Sequence, residues 1–253
     1  MDEPAVITST QNEFVRMVRS LHEKKGRMEH NAFLVEGVKC VEELVTCQPK
    51  LLRTLIVTND TDKKWADRAA KLNKRVVIVA PHVMKALCDC KTPQNVAAVA
   101  DLPSAASIDS GFIVALDDIQ DPANAGTIIR TADAAGCSGV ALSSGSADPY
   151  SPKAVRASMG SLFHLPVLRT ELSPYLEGLR KSGCLVACAD LKGQMEFDIN
   201  PENTCLVIGN EARGISEEIL SIADVCIRIP IYGKAESLNA AVAAGILIYK
   251  IRS

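Results

Sequence analysis

The sequence predicts an α/β protein built from two modules. Three observations carry that reading: short apolar runs alternate with amphipathic stretches along the whole chain, aromatic residues make up only 4% of it, and a Pro/Ser/Gly-rich stretch at 102–111 interrupts the alternation. Apolar strands alternating with helices imply a mostly parallel sheet covered on both faces. A core of Ala, Val, Ile and Leu suits such layers better than an aromatic-filled barrel. At 253 residues the chain exceeds one core of about 100–150 residues. The break divides it into a smaller module, 1–106, and a larger one, 107–253.

In the first module, Phe14, Val15, Val18 and Leu21 recur at helical spacing and predict a helix over 12–24, with Gly26 expected to end it. A strand follows at 33–35, a helix at 38–46, a strand at 52–58, a helix at 63–72 and a strand at 76–80. Pro81 opens a helix through Leu87, because proline suits a first helical turn, and 96–100 closes the module as a strand. The second module restarts with an apolar strand at 112–116 and a helix at 124–135. Strands are expected at 140–142, 165–168, 185–189, 205–208 and 225–229, helices at 173–181 and 216–222, and a terminal helix at 238–250. No internal repeat or low-complexity tract interrupts the pattern.

Composition excludes several classes. With 47% hydrophobic and 23% charged residues the chain is no disordered polypeptide. No run of about 18 uncharged apolar residues occurs, and the first four residues lack a basic segment leading into an apolar one. A soluble, cytoplasmic protein with no membrane partner is expected. The nine cysteines are scattered; Cys88/Cys90 and Cys184/Cys188 are the only close pairs, and none of the four histidines (22, 30, 82, 164) completes a ligand spacing. Reduced thiols and no metal are therefore expected. The net charge of −2 is uneven, since through Ala106 16 Lys+Arg stand against 13 Asp+Glu. Arg16, Arg19, Lys24, Lys25, Arg27 and Lys39 crowd into a segment poor in acids, which reads either as a solvated helix face or as a patch for nucleic-acid phosphates.

Ligands of open α/β sheets bind beyond the carboxyl ends of the strands, so the residues after each strand carry the functional reading. After the 112–116 strand, Asn124, Gly126 and Arg130 stand at the start of a helix. After 205–208 comes Gly209-Asn210-Glu211-Ala212-Arg213-Gly214, where glycines let the backbone approach a ligand closely and Glu211 sits at the sheet's edge. After 225–229 come Pro230-Ile231-Tyr232-Gly233 and then Ser237-Leu238-Asn239, meeting a helix rich in small residues, with Ser237 a candidate cap. Each segment alone is also an ordinary strand-to-helix turn.

Together, in order and content, they resemble the three signature motifs of the SpoU (TrmH) family of RNA ribose 2′-O-methyltransferases, within the SPOUT superfamily. N-x-G-x-I-x-R spans 124–130, I-G-x-E-x-x-G spans 208–214, and I-P-(M/I)-x-G-x₃-S-L-N spans 229–239. Val155-Arg156-Ala157-Ser158-Met159-Gly160 matches a linking stretch common in the family. The first module resembles, more loosely, the substrate-binding domain of many members, which is similar to kink-turn-binding ribosomal proteins; the likeness rests on order, length and residues 33–37.

The resemblance implies an S-adenosylmethionine-dependent RNA 2′-O-ribose methyltransferase, with large-subunit ribosomal RNA the favoured substrate. Transfer RNA methylation or a non-catalytic RNA-binding relative is the alternative. It further implies a deep trefoil knot in the second module and a homodimer formed through it, aided by the apolar terminal helix. By similarity the catalytic residues are Arg130, Asn124, Glu211, Ser237 and Asn239. The cofactor is expected at Leu206, Val207, Ile208, Gly209, Ile229, Ile231, Ser237 and Leu238. RNA is expected at Arg16, Arg19, Lys24, Lys25, Arg27, Lys39 and Arg130. A guanidinium keeps its proton at ordinary pH, so Arg130 is read as a clamp on phosphate and developing alkoxide.

Overall fold

The computed structural model describes residues 6–59, 61, 64–104 and 107–253. The first four residues, residue 63 of the expected helix and residue 106 of the expected boundary lie outside them. Two compact units form, one from Met1–Ser104 with Tyr150–Phe163, the other from Ala105–Pro149 with His164–Ser253.

The first unit holds a mixed four-stranded sheet in the order β1-β4-β2-β3, with β1 Ala32–Glu36, β2 Leu52–Thr58, β3 Arg75–Val79 and β4 Val96–Asp101. Strand β4 runs antiparallel to both neighbours, while β2 and β3 are parallel. On one face lie α1 (Glu13–Ser20) and α5 (Pro81–Leu87), whose Val15, Val18, Val83 and Leu87 pack with Leu34, Ile56, Val77 and Val79. Every residue of β1 is buried, which is why 32–35 reads as a continuous apolar run; Glu36 closes the strand as a buried carboxylate. Helices α3 (Val38–Cys47) and α4 (Lys64–Lys71) follow β1 and β2.

The helix expected over 12–24 is two helices. Asn12 caps α1 through the Phe14 amide at 2.9 Å, the chain leaves the helix at Leu21, and α2 (Lys24–His30) restarts after Glu23. Gly26 lies inside α2 and does not end a helix. A Cβ there would stand 2.0 Å from the Ser20 carbonyl oxygen, so the glycine permits the close crossing of α1 and α2. Left-handed Asn31 (φ 46°) ends α2.

Tyr150–Phe163 sits within 107–253 in sequence but packs with the first unit. Its helix α7 (Pro152–Ser158) was not expected, since those residues read only as a linking stretch; Pro152 occupies the first turn, where its missing N–H costs nothing. Arg156 joins buried Glu36 (Nη1–Oε2, 2.8 Å) and Asp89 (Nη2–Oδ2, 2.6 Å). Phe33 stacks on Phe163 and tilts against Tyr150, with centroids at 6.3 and 5.1 Å.

The second unit is a six-stranded, wholly parallel sheet in the order β10-β8-β9-β5-β6-β7. Its strands are β5 Gly111–Asp117, β6 Gly139–Leu142, β7 Val167–Arg169, β8 Leu185–Gln194, β9 Asn203–Gly209 and β10 Val225–Ile227. Helices α8 (Leu172–Lys181) and α9 (Glu217–Ile222) cover one face through Leu172, Leu176, Leu179, Ile219 and Ile222. Helices α6 (Pro122–Ala134) and α10 (Ala240–Arg252) pack on each other.

Strand β8 departs from expectation by continuing past Ala189. Cys188 pairs with Cys226 while Gln194 pairs with Ile227, so residues 189–193 leave the ladder as an excursion. A Cβ on Gly193 would stand 2.5 Å from the Ile227 nitrogen, which is why glycine closes it. All nine cysteines are free thiols, and burial pushes Cys40 up to about 11 and Cys137 and Cys188 up to about 12, so these remain protonated. Among the described residues no helix is long and apolar enough to cross a membrane.

Candidate active site

Beyond the carboxyl ends of β9 and β10, and beside residues 189–192 of β8, lies a cleft of about 410 Å³. One wall is the β8 excursion (Ala189, Asp190, Leu191, Lys192), another is residues 208–214, and a third is formed by Arg228, Ile229, Ile231, Glu236, Ser237 and Leu238, with Ala240, Ala243 and Leu247 of α10 beneath. The last ladder pair between β8 and β9 is Cys188 with Val207. Beyond it Ile208 and Gly209 stay paired with β5, and both line the cleft on the side that β8 no longer covers. Gly209 has to be glycine, because a Cβ would lie 2.3 Å from the Ile215 nitrogen where the loop folds back. Asn210 and Gly214 exchange main-chain hydrogen bonds at 3.0 and 2.9 Å, and Gly214 takes φ 72°. Buried Asn210 shapes this loop: its Oδ1 accepts from the Ala212 and Arg213 amides at 2.9 and 3.0 Å, and its Nδ2 donates to the Asp118 carbonyl at 2.8 Å. Buried Asp117 accepts from the Ser216 amide at 2.8 Å, fixing the loop's far end.

The three sequence motifs meet in one chain of side-chain hydrogen bonds. Asp121 caps α6 through the Ala123 amide (2.9 Å), which leaves Asn124 of the first turn free to reach outward. Asn239 caps α10, its Oδ1 accepting from the Ala241 and Val242 amides at 2.9 and 3.2 Å. That fixes its amide orientation, so Nδ2 donates to Asn124 Oδ1 at 3.0 Å, and Asn124 Nδ2 in turn donates to Glu211 Oε1 at 2.8 Å. The Gln120 amide reaches Glu211 Oε2 at 3.3 Å. Partial burial raises the Glu211 pKa, but hydrogen bonds from Asn124 and from the backbone amides of Glu211, Gln120 and Asp121 outweigh it and hold the carboxyl below its ordinary value. Glu211 is thus a fixed anion whose acceptors are already engaged.

The chain matches the SpoU rRNA Methylase family over residues 111–249 and the MRM3-like substrate binding domain over residues 12–98. It belongs to the SpoU rRNA methylase family. Among relatives of this SpoU protein is a 23S rRNA (guanosine(2553)-2′-O)-methyltransferase of Bacillus subtilis, 36% identical over 97% of this chain and 98% of the other. An AdoMet-bound rRNA methyltransferase from Sinorhizobium meliloti superposes with TM-score 0.87 at 32% identity, covering 98% and 97% of the two chains. The SpoU methyltransferase AviRb from Streptomyces viridochromogenes, in complex with the cofactor AdoMet, gives 0.84 at 30% identity over 95% and 98%.

In this SpoU methylase, Ile208, Gly209, Glu211, Ile229, Ile231, Ser237 and Leu238 all line the cleft. Leu206 and Val207 do not. Their side chains are fully buried within β9, between β5 and β8, and neither residue is part of the cleft lining. Asn124 and Asn239 join the network beside the cleft without lining it. Ser237 is not the cap of the last helix; Asn239 is. Arg130 lies exposed on α6, outside the cleft lining, with no hydrogen bond or ion pair among the described residues. Reading the sequence missed Asp117, Asn210, Arg228 and the 189–192 wall. Asn210 stood within the second motif, but nothing local marks a strand excursion paired across to β10.

The basic segment lies in the first unit. Arg16 and Arg19 on α1 and Lys24 and Lys25 on α2 are exposed and form no ion pair among the described residues, while Lys39 is exposed and pairs with Glu43. Arg27 departs from its expected role. It is 3% exposed, and its Nη1 donates to the carbonyls of Leu21 and His22 at 2.8 Å each, so it ties the α1–α2 turn and does not face solvent. Glu36, Cys88 and Cys90 come within 4.8 Å of one another. The carboxylate is already engaged by Arg156 and by the Asp89 and Cys90 amides, and burial pushes the Cys88 thiol up.

Proposed function

We propose that this protein transfers a methyl group from S-adenosylmethionine to a ribose 2′-hydroxyl of large-subunit ribosomal RNA in the cytoplasm. The observation that supports it most is the hydrogen-bonded chain Asn239–Asn124–Glu211, which draws all three motifs to the cleft at the ends of β9 and β10. The cleft's chemistry fits the cofactor: Ile208, Ile229, Ile231, Leu238 and Leu247 offer an apolar slot for a nucleoside, the main chain past the last β8–β9 pair offers hydrogen bonds on the side β8 no longer covers, and a buried Arg228 Nε stands without a partner in its wall. The cofactor supplies an electrophilic methyl group. The protein's residues supply position: the Asn124–Glu211 pair fixes the start of α6, and with it the helix that carries Arg130. Arg130, uncommitted within the described residues, serves as the cation meeting charge on the attacking oxygen and the neighbouring phosphate. Holding donor and hydroxyl in line accounts for roughly several kcal/mol of the barrier; the thioether leaves as the new C–O bond forms, and the hydroxyl proton passes to solvent water while Arg130 offsets the charge left on the oxygen.

Arg16, Arg19, Lys24 and Lys25 serve as phosphate contacts for the RNA, with Lys39 a weaker one because Glu43 engages it. A two-fold dimer belongs to the same reading. Val242, Ile246 and Tyr249 form an exposed stripe on α10, 51%, 42% and 52% accessible, whose apolar surface a second copy covers isologously. The trefoil knot and the catalytic boundary near 107 complete the proposal. The test is transfer of labelled methyl from S-adenosylmethionine to total RNA, followed by nuclease digestion: 2′-O-methylated nucleoside from 23S-type RNA supports the reading, whereas label in a base or only in transfer RNA overturns it.

A further inference from the structure

We infer that Arg228 is the residue that recognises the carboxylate of the cofactor's amino-acid end; the inference rests on the proposed use of S-adenosylmethionine. Arg228 follows β10, and its amide donates to the Gln194 carbonyl at 2.9 Å, where the β8 excursion rejoins the sheet. That bond fixes its main chain at the base of the cleft, which the residue lines. Its Nε is buried and has no hydrogen-bond partner, and the guanidinium forms no ion pair with any described residue. A buried N–H on a cation left unpaired costs free energy comparable to a lost hydrogen bond. Nε itself is closed off, so an anion in the cleft meets this unengaged guanidinium at Nη1 and Nη2, which are not buried and likewise have no partner among the described residues.

The surroundings say what that something is. Asp190 and Glu236 line the same cleft, yet neither pairs with Arg228; the Asp190 carboxylate instead accepts from the Lys192 amide at 2.7 Å. Cleft anions held apart from an unengaged guanidinium suit a ligand that carries both signs. S-adenosylmethionine has one anionic group, its carboxylate, and two cationic ones, the ammonium and the sulfonium. A guanidinium matches a carboxylate in geometry as well as charge. The carboxylate goes to Arg228, and the ammonium faces the acidic side chains.

Calorimetric titration of the full chain with three ligands tests this. S-adenosylmethionine and S-adenosylhomocysteine both carry the carboxylate; 5′-methylthioadenosine lacks the whole amino-acid end. Arg228→Met keeps the stem and removes every donor. It should weaken the first two ligands by roughly tenfold to a hundredfold, the loss of a charge-assisted hydrogen bond, and leave 5′-methylthioadenosine within about twofold. Arg228→Lys, which keeps the charge but lacks Nε, should recover part of the loss and stands as the second variant if the first does not fold. Equal weakening of all three ligands would place Arg228 under the nucleoside and overturn the assignment, as would unchanged affinities. Failure of the unsubstituted protein to bind any of the three would instead overturn the methyltransferase reading itself.

Discussion

Asn239 performs two tasks that substitution can separate. Its Oδ1 caps α10 by accepting from two amides, and its Nδ2 starts the donor chain that runs through Asn124 to Glu211. Asn239→Asp keeps the cap, since aspartate is as good an N-cap and its charge suits the helix dipole. It cannot keep the chain. The new carboxylate presents an oxygen to Asn124 Oδ1, and if the Asn124 amide flips to donate to it, its carbonyl then faces Glu211. One acceptor–acceptor contact remains in either orientation. The loss of one hydrogen bond is about 1–1.5 kcal/mol, or roughly five- to tenfold in rate. Asn239→Ala loses chain and cap together, and a cap of about 1 kcal/mol lowers the melting temperature of a domain this size by roughly 2–4 °C. Single-turnover methyl transfer and thermal melts on both variants decide the matter. Both variants should be slow, and the alanine variant should melt below the aspartate variant by the share of stability that the cap contributes. An aspartate variant with full turnover would refute the argument that the network orients the site.

Four further outcomes follow from the structure. Arg130→Ala should lower turnover by a factor on the order of 10²–10³ with cofactor affinity little changed, as measured by kinetics beside calorimetry; near-normal methylation would remove Arg130 from the reaction. Neutralising Arg16, Lys24 and Lys25 should flatten the salt dependence of RNA affinity by roughly one unit per lost contact, whereas Arg27→Gln should lower the melting temperature and leave the salt slope unchanged. Because Glu211 titrates below its ordinary value of 4.5 in the folded protein, its contribution to stability is present above that value and is lost as pH falls through the lower folded pKa; Glu211→Gln should flatten the acid limb of a urea-midpoint profile, and an unaltered limb would contradict the hydrogen-bond argument. Ile246→Lys should halve the mass seen by light scattering on the full chain if α10 is the dimer seam.

Much of the site was legible along the chain because its parts are local. Glu211, Gly209, Ser237 and Leu238 fall in turns that follow strands, where glycine, proline and polar residues mark the ends of apolar runs, and the strand at 96–100 stands out because a buried strand reads as an unbroken apolar stretch. What depends on pairing between distant segments was decided only by the folded chain. Asn239, not Ser237, caps the last helix because only its carbonyl reaches two amides. Arg27 turns inward because Gly26 lets two helices cross, and nothing in a run of basic residues shows which one meets a carbonyl. Leu206 and Val207 lie inside the sheet between two neighbouring strands, and the 189–193 wall exists because β10 pairs with residues on either side of it. Composition and spacing act over a few residues, so the sequence determines the elements and the residue types at their ends. The orientation of an amide, the burial of a cation and the register of a parallel strand are set by partners tens of residues away, and these only the tertiary structure decides.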